Sequence, residues 1–416
     1  MFRGRALLLN IDPDVSPADP AVEPAHKRIL MIQTRFIAYG GAHLVTAWMM
    51  QALASGYDLT LLTWEEIDVA RINRYYGTSL DSSQLEICTM SPLFRCLAKL
   101  DPDPQSVQPN LLVLRTAKKM RAQFDLLITA EMESDLGGAG VQYIHHPWFA
   151  HVFPHVISSI LHRWAKAAAV IRGRVRPWML LGDYSFDRMR TNLTVTNSEW
   201  TAQWLRQLYG LEATTLYPPA PGDFPQVPWE QRQNGVLCIG RLNPEKRADW
   251  VIEQLSLLRS KVTGLRLHIV GNQCYSKIER RYYRRLVSLV SANKDWVTLH
   301  ENISRSELTE LASRQRYGIH ARQDEHFGIA VAEMVRAGCI PLVHNSGGQV
   351  EIVGREPRLT FDDPQIAARL LHIVNSPLEQ EELRSMLARQ ACLFTPERFM
   401  EEIRRIVHRV LGGAEH

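Results

Sequence analysis

Residues 28–64 carry the pattern that sets the architecture: RILMIQ at 28–33, a glycine pair at Gly40 and Gly41, a helical stretch at 42–54, and DLTLLTW at 58–64. Short apolar runs bounded by turn residues are typical of buried parallel strands, and the longer periodic stretch between them indicates a helix. The order strand, helix, strand predicts a βαβ unit. Its glycine pair lies at the first turn, where doubly wound sheets bind ligands beyond the carboxyl ends of their strands.

The same alternation continues through the rest of the chain. Apolar runs predict further strands at 125–129, 141–145, 193–196, 236–239, 265–270, 296–299, 317–320 and 340–343. Helices are predicted near 248–258 and at 333–337, and Gly338 is suited to end the second of them. Alternating strands and helices favour an α/β fold built on parallel sheets.

A stiff connection divides this alternation into two halves. Pro218 and Pro219 restrict the backbone there, which suits a hinge. Two α/β halves predict two Rossmann-like domains that face each other across a cleft. We expect a loose arm at 1–27, which contains four prolines, a first domain at 28–215 and a second at 216–395.

The last segment, 396–416, is predicted to be an amphipathic helix. Its apolar residues recur at helical spacing, namely Phe399, Ile403, Ile406, Val407 and Val410. An apolar face of this kind needs a partner surface. We expect the helix to cross back and dock on the first domain.

The composition excludes several classes of protein. With 45% hydrophobic and 22% charged residues, the chain is neither disordered, collagenous nor a coiled coil. A net charge of +4 does not indicate a nucleic-acid-binding protein, although it permits a local site for an anion. Six cysteines without CxxC or zinc-type spacing suggest reduced thiols. No apolar run approaches the roughly 20 residues of a membrane span, so we expect a cytoplasmic protein.

Two glutamates in the stretch DEHFGIAVAE at 324–333 are the strongest candidates for chemistry. Glu325 is expected in the loop before a helix and Glu333 on that helix, so both can face one cleft. Backbone N–H groups at the start of the helix can meet sugar hydroxyls or phosphate oxygens. The spacing alone is also compatible with a solvated helix face.

The wider segment 320–348, HARQDEHFGIAVAEMVRAGCIPLVHNSGG, resembles the signature of retaining glycosyltransferase family 4, whose members have the GT-B fold. Further similar stretches follow in the same order: YIHHP at 143–147, TNSEWT at 196–201, YPP at 217–219 and GRLNPEK at 240–246. EHFGI and HNSGG are similar to the α-1,2-mannosyltransferases of this family that use GDP-mannose. The resemblance implies transfer of a hexose from a nucleoside-diphosphate sugar, with retention, to a hydroxyl of a saccharide, lipid-linked or small-molecule acceptor.

The resemblance also implies roles for individual residues. Glu325 corresponds to the glutamate that contacts the donor sugar, and Glu333 to the one that binds the two ribose hydroxyls. Arg241 and Lys246 match the cations that hold the donor diphosphate, whose charge they can stabilise without a metal ion. His145 is the second catalytic candidate, although the adjacent His146 leaves that choice open.

The remaining implied site residues are two short stretches. Backbone contacts to the donor sugar and phosphate are expected from His326, Phe327, Gly328 and Ile329. In the first domain, Gly40 and Gly41 would allow close approach of a ligand, with a plain tight turn as the alternative. Gln349 is a departure, because the related mannosyltransferases have proline there. The donor base, the sugar and the acceptor therefore stay open.

No cofactor and no metal are expected; the donor, GDP-mannose or a UDP-sugar, is a substrate. Metal-dependent glycosyltransferases of another fold use a DxD motif. Asp12-Pro13-Asp14 and Asp101-Pro102-Asp103 fit it, but neither follows a predicted strand. We therefore do not expect either to bind metal.

Residues 151–182 contain no Asp or Glu, and they include the cations Arg163, Lys166, Arg172, Arg174 and Arg176. Basic residues beside tryptophans favour a peripheral contact with the inner face of a membrane, or a site for an anionic acceptor. A solvated lid on the acceptor domain is the alternative.

Two other functions remain open at the level of sequence. A GT-B sugar-nucleotide epimerase or a sucrose-type synthase would keep the fold and change the acceptor. A catalytically silent nucleotide-binding scaffold belongs to another class, and the combination of Glu325, Glu333, Arg241 and Lys246 argues against it.

Overall fold

The computed structural model describes residues 26–36, 40–97, 108–149, 177–272 and 277–412. These residues form two parallel β-sheets, each covered by helices. The arm up to residue 25, both DxD candidates and most of the basic segment 151–182 lie outside the described residues. The α/β architecture with two Rossmann-like domains is as predicted.

The first sheet has seven strands: β1 Arg28–Ile32, β2 Asp58–Thr63, β3 Leu85–Thr89, β4 Leu126–Thr129, β5 Val141–Ile144, β6 Leu193–Thr196 and β7 Thr214–Thr215. Their order across the sheet is β3-β2-β1-β4-β5-β6-β7, and every pairing is parallel. Ile29 lies opposite Leu59 on one side and Leu126 on the other. Strand order therefore reverses between β1 and β4, which makes that pair the switch point of the sheet.

The helices described in this half are α1 Gly41–Leu53, α2 Val69–Tyr76, α3 Pro92–Leu97, α4 Gln108–Met120, α5 Phe186–Met189 and α6 Glu199–Tyr209. Of these, α1 begins at the second glycine of the predicted turn, and its buried side includes Trp48 and Met49. The Ser198 hydroxyl caps α6 by accepting from the backbone N–H of Thr201. Both helices thus begin at the carboxyl edge of the sheet.

The second sheet has six strands: β8 Gln233–Ile239, β9 Arg266–Gly271, β10 Val297–Glu301, β11 Gln315–His320, β12 Ile340–His344 and β13 Thr360–Phe361. Their order, β10-β9-β8-β11-β12-β13, repeats that of the first sheet, with the switch point between β8 and β11. The helices are α7 Ala248–Ser256, α8 Lys277–Ala292, α9 Arg305–Ser313, α10 Ile329–Arg336, α11 Gln349–Ile352, α12 Ile366–Val374, α13 Pro377–Ala391 and α14 Pro396–Gly412.

The final helix, α14, returns to the first domain. Phe399, Ile403 and Val407 are buried in the same apolar core as Val45 and Met49 of α1. The Arg404 Nε donates to the backbone carbonyl of α1 residue Ala52 at 2.8 Å, which adds a polar contact to the apolar one. The predicted amphipathic helix thus joins the chain's end to its beginning.

The two domains face each other with the carboxyl edges of their sheets. A Cβ on Gly41, at the start of α1, would lie 2.7 Å from Ile329 at the start of α10. A Cβ on Gly348 would lie 2.3 Å from the backbone oxygen of His326 and 2.7 Å from Cβ of Ser198. The absence of a side chain at these two positions therefore allows close packing between the domains.

A buried glutamate of the second domain caps a helix of the first. The Glu351 carboxylate accepts from the backbone N–H of Glu199 at 2.9 Å and of Trp200 at 2.8 Å. Tyr217 at the hinge donates its hydroxyl to the same carboxylate at 3.1 Å. A negative charge at a helix N-terminus is favourable, although burial raises the Glu351 pKa. This contact holds the hinge side of the cleft.

The structure differs from the sequence prediction mainly at element ends and sheet edges. The helix predicted at 333–337 begins earlier, at Ile329, so Glu333 lies one turn inside it. Strands β3, β7 and β13 were not predicted, because a two-residue or partly exposed strand lacks a long apolar run. No helix within the described ranges has the length and apolar character needed to cross a membrane.

Candidate functional site

The strongest candidate site lies at the switch point of the second sheet, where loops leave β8 and β11. Lys246 belongs to a single helical turn that follows β8, and the Asn243 side chain caps that turn. Glu325 lies between β11 and α10, and Gly328 takes φ 104° so that the chain can enter the helix. Two sequence motifs 79 residues apart therefore meet at one edge of the sheet.

Glu325 is surrounded by nitrogen atoms. Lys246 Nζ donates to its Oε2 at 2.5 Å, and Arg322 Nη1 lies 3.5 Å from the same oxygen. The Glu325 side chain is 11% exposed and that of Lys246 16%, so this is a largely buried ion pair that still borders the cleft. Removing two charges from water is costly, so a buried ion pair is favourable only when its two partners are held in good geometry.

The charge state of this cluster follows from its contacts. Burial opposes ionisation of Glu325, but Lys246, His320 and Arg322 outweigh it and hold the pKa of the carboxyl well below its usual range. Burial, together with Lys246, lowers the pKa of His320 to about 4. At neutral pH the site therefore holds an ionised glutamate and a neutral histidine beside Lys246.

Gln349 determines which nitrogen of His320 carries the proton. Its amide Nε2 donates to three backbone carbonyls, those of Arg322 at 2.7 Å, Ser346 at 3.0 Å and His344 at 3.1 Å. Its Oε1 consequently faces Nδ1 of His320 at 2.6 Å and must accept from it. Nε2 of His320 is then free of a proton and accepts from Lys246 Nζ at 3.2 Å. Gln349 is thus fully buried behind the lysine.

The second glutamate, Glu333, lies on α10 and is 5% exposed. It forms an ion pair with Arg305 at the start of α9. Tyr75 of the first domain lies close enough for the charges of both residues to influence its pKa, and its hydroxyl accepts from Asn272 at 3.3 Å. Glu333 therefore lies on the side of the second domain that α2 of the first domain approaches.

Arg241 follows β8 by two positions and is exposed. Among the described residues the structure gives its side chain no ion pair, in contrast to Lys246, which bonds to Glu325 and His320. Both cations leave the same strand end, as the sequence predicted. Their joint action on a diphosphate stays a prediction.

On the facing side, His145 and His146 follow β5. His145 donates from Nε2 to the carbonyl of Ala130 at 3.0 Å, and burial together with His146 lowers the His145 pKa to about 3. The His146 ring lies 5.0 Å from that of His326 in the second domain. His146 therefore spans the cleft toward the Glu325 loop, whereas one nitrogen of His145 is engaged by its own domain.

The other predicted residues occupy the loop between Glu325 and α10, and the turn before α1. Phe327 is 3% exposed and stacks on Tyr217 of the hinge at 5.7 Å, so it contributes packing there. The backbone carbonyl of His326 accepts from the Ser198 hydroxyl at 2.6 Å. Ile329 meets Gly41 across the cleft, and Gly40 is the extended residue before α1. The predicted set is therefore distributed over both walls of one cleft.

Sequence reasoning missed several residues that complete this site. His320, Arg322 and Arg305 were not predicted, and Gln349 was noted only as a departure. The rule that ligands gather at strand ends could have found His320, because it is the last residue of β11. Nothing in the sequence pattern signals that Arg305 pairs with Glu333. Within the described part of the chain, no group of three or more His, Cys, Asp or Glu side chains is arranged to hold a metal ion.

Comparison with known families supports a transferase domain in the second half. Residues 221–393 match the family described as "Glycosyl transferases group 1". This range begins just after the hinge, and it contains Lys246, Glu325 and Glu333. It corresponds closely to the second structural domain.

Among curated proteins, the chain is similar to GDP-Man:Man(3)GlcNAc(2)-PP-Dol alpha-1,2-mannosyltransferases. The Candida glabrata protein is 29% identical over 178 residues, which are 40% of this chain and 35% of that protein. The human protein is 26% identical over 235 residues, which are 51% of this chain and 48% of that protein. The matched regions thus span about half or less of these relatives.

Solved structures agree over nearly the whole chain. HepE from Anabaena, solved in complex with UDP and glucose, superposes with a TM-score of 0.64 at 14% identity and covers 92% of this chain and 99% of its own. WaaG, a glycosyltransferase involved in lipopolysaccharide biosynthesis, gives 0.61 at 15% identity and covers 90% and 99%. These likenesses establish the GT-B fold. Residues 221–393 of this chain, which carry the cluster of Lys246 and Glu325, thus match the group 1 glycosyl transferase family.

Proposed function

We propose that the protein is a retaining glycosyltransferase that moves a hexose from a nucleoside-diphosphate sugar to a hydroxyl of an acceptor saccharide. The observation that carries this proposal is the cluster of Lys246, Glu325 and Arg322 at the switch point of the second sheet. Cations at the carboxyl ends of parallel strands, facing a second domain across a cleft, suit the binding of an anionic donor.

The donor would bind with its diphosphate beside Lys246 and Arg241 and with its sugar beside Glu325. Glu333 would accept from the ribose hydroxyls, and Arg305 would have to share or release that carboxylate. The names of the similar curated proteins make GDP-mannose the first donor to test, and a UDP-sugar is the alternative.

The reaction would break the bond between C1 of the sugar and the phosphate oxygen, and form a bond from C1 to the acceptor oxygen on the same face. The acceptor proton would pass to the departing phosphate oxygen. Lys246 and Arg241 would stabilise the negative charge that develops on the diphosphate. Closure of the two domains would orient the reactants and exclude water.

The acceptor would lie on the first domain. A lipid-linked oligosaccharide is the first class to test, since the similar curated proteins are named for a dolichol-linked acceptor. A location at the inner face of a membrane, with contact through 151–182, is part of the same hypothesis. Most of that segment lies outside the described residues.

A donor panel tests the proposal. The purified protein would be incubated with GDP-mannose, UDP-glucose and UDP-N-acetylglucosamine, with and without a mannoside acceptor, and products followed by mass spectrometry. We expect nucleoside diphosphate release from one donor and a glycoside of the acceptor, with little change on addition of EDTA. Rescue of an EDTA-inhibited rate by manganese would contradict metal independence.

The same panel separates the alternatives. Conversion of a UDP-sugar to its epimer without acceptor would indicate an epimerase, and transfer to fructose a sucrose-type synthase. Binding of a nucleotide in a thermal-shift assay without turnover of any donor would indicate a silent scaffold.

A further inference from the structure

A carboxylate of the first domain lies in the loop that corresponds to the Glu325 loop of the second. Glu131 follows β4, the strand across the switch point from β1, just as Glu325 follows β11, the strand across the switch point from β8. Glu131 is partly exposed. The edge on which it lies is the one that faces the second domain, because α1 and Ile329 meet there.

Glu131 is held by neutral donors from the end of β1. Gln33 Nε2 donates to its Oε1 at 2.8 Å, and the Thr34 hydroxyl donates to its Oε2 at 2.7 Å. Gln33 is itself buried and oriented, because Thr46 of α1 donates to the Gln33 Oε1 at 2.5 Å. Both carboxylate oxygens are therefore fixed in space, and each has a further lone pair to offer.

No cation of the described ranges forms an ion pair with Glu131. Arg35 directly follows Gln33 and Thr34 in the sequence, and its guanidinium lies 5.8 Å from the centre of the Trp64 ring. Burial consequently raises the pKa of Glu131 to about 7, and the bond from Thr34 offsets this only in part. Holding such a group beside a cleft costs stability, and costs of this kind are concentrated at functional sites.

The surroundings connect Glu131 to the reacting region. The carbonyl of Ala130, the residue before it, accepts from His145, and His146 reaches the ring of His326. His326 is adjacent to Glu325. A ligand that contacted both Glu131 and the donor sugar would therefore lie beside His145 and His146.

We propose that Glu131, held by Gln33 and Thr34, binds a hydroxyl group of the acceptor saccharide. The proposal rests on the proposed transferase function and names the acceptor side of that same site. A carboxylate with neutral partners suits a neutral polyol, since it accepts from hydroxyl groups and repels anions. The donor diphosphate is thereby directed to the cationic wall opposite.

Glu131→Gln keeps the size of the side chain and removes its charge, so it tests the proposal directly. Binding of methyl α-D-mannopyranoside would be titrated by saturation-transfer NMR, first to the free protein and then in the presence of GDP. At pH 8, above the pKa of Glu131, we expect the dissociation constant for the mannoside to rise by about tenfold in the variant, as expected for the loss of a hydrogen bond to a charged group. The affinity for GDP should stay the same.

Glu86→Gln is the matched control. Glu86 is a carboxylate of the same sheet that accepts from a strand threonine, Thr60, at 2.8 Å, but it lies on β3 at the far edge. The Glu86→Gln variant should bind the mannoside with the affinity of the wild type. Thermal unfolding and near-ultraviolet circular dichroism would verify that both variants keep the native structure.

The outcomes are distinct. Equal mannoside affinity in wild type and Glu131→Gln, or no mannoside binding by folded wild type, would overturn the role of Glu131. Failure of GDP and of every other nucleotide to bind would instead contradict the transferase function, whatever the mannoside does. In a transfer assay, the variant should show a raised KM for the acceptor and an unchanged rate of donor hydrolysis by water.

Discussion

The two switch points of the molecule share a topology and differ in charge. Glu131 follows β4, which lies across the switch point from β1. Glu325 follows β11, which lies across the switch point from β8. The segment after the first strand supplies the partner of each glutamate: Gln33 and Thr34 follow β1, and Lys246 lies in the helical turn that follows β8. The pKa of Glu131 is raised to about 7, whereas that of Glu325 lies well below its ordinary value.

This comparison shows that the fold provides a position, and that the neighbouring residue decides what the position can bind. A lysine makes the second switch point suitable for an anion, and two neutral donors make the first suitable for a hydroxyl group. A glycosyltransferase needs both on opposite walls, since one substrate is a diphosphate and the other a saccharide. Four changes would break or sharpen the contrast.

Lys246→Met should have the largest effect. It removes the cation proposed to stabilise the departing diphosphate, and it leaves Glu325 with less compensation for burial. We expect kcat/KM for the active donor to fall by on the order of 100- to 1,000-fold. Steady-state release of nucleoside diphosphate measures this. Lys261→Met, at an exposed lysine of the same domain, is the control, and a fall of less than threefold at Lys246 would remove it from the diphosphate site.

Glu333→Gln should weaken nucleotide binding. Loss of charged hydrogen bonds to the ribose is expected to raise the dissociation constant for the cognate nucleoside diphosphate by about 10- to 100-fold. Isothermal titration calorimetry measures it. Arg305→Met gives the opposite test, since it frees the carboxylate and should leave affinity unchanged or improved. Weaker binding by the arginine variant alone would assign the nucleotide contact to Arg305 instead.

Gln349→Leu should destabilise the second domain. The change leaves Nδ1 of His320 and three backbone carbonyls without their buried partner. At about 1–3 kcal/mol for a buried unsatisfied group, partly relieved by relaxation, we expect a loss of about 2–4 kcal/mol in the free energy of unfolding. Urea denaturation measures it, with Gln203→Leu at an exposed position of α6 as control. A loss below 0.5 kcal/mol would show that solvent or rearrangement replaces these bonds.

The smallest effect concerns pH. The folded pKa of Glu131, about 7, lies above its ordinary 4.5, so between these values the folded chain binds more protons than the unfolded chain. The contribution of Glu131 to the free energy of unfolding is therefore fully present below about pH 4.5, and it is lost as the pH rises through 7. Relative to Glu131→Gln, the wild type should lose about 2 kcal/mol of unfolding free energy between pH 5 and pH 8.

Urea denaturation of both proteins at each pH measures this difference, and taking the difference removes the contributions of groups common to both. Glu86→Gln should show no such change relative to the wild type, since Glu86 is exposed. A pH-independent difference for Glu131→Gln would show that its carboxyl ionises normally.

The sequence was sufficient for the parts that depend on local pattern. The apolar runs at 28–33 and 58–64 predicted β1 and β2 because buried parallel strands are short and uniformly apolar. The periodicity near the C-terminus predicted α14, whose apolar face packs on α1. Lys246 and Glu325 were singled out because the motifs around them resemble those of retaining glycosyltransferase family 4, and the structure brings the two residues together.

Pairings between distant residues were decided only by the tertiary structure. Gln33 and Glu131 are 98 residues apart, His320 and Gln349 are 29 apart, and Arg305 and Glu333 are 28 apart. Each pair meets because strand order and helix packing bring its elements together, and none of the three pairings is encoded in the sequence spacing. The sequence by itself determined two α/β domains and, through resemblance, singled out Lys246 and Glu325 as candidate site residues. The neutral partners of Glu131 and the proton position on His320 depend on three-dimensional contacts, since a pKa follows from burial and neighbouring charge.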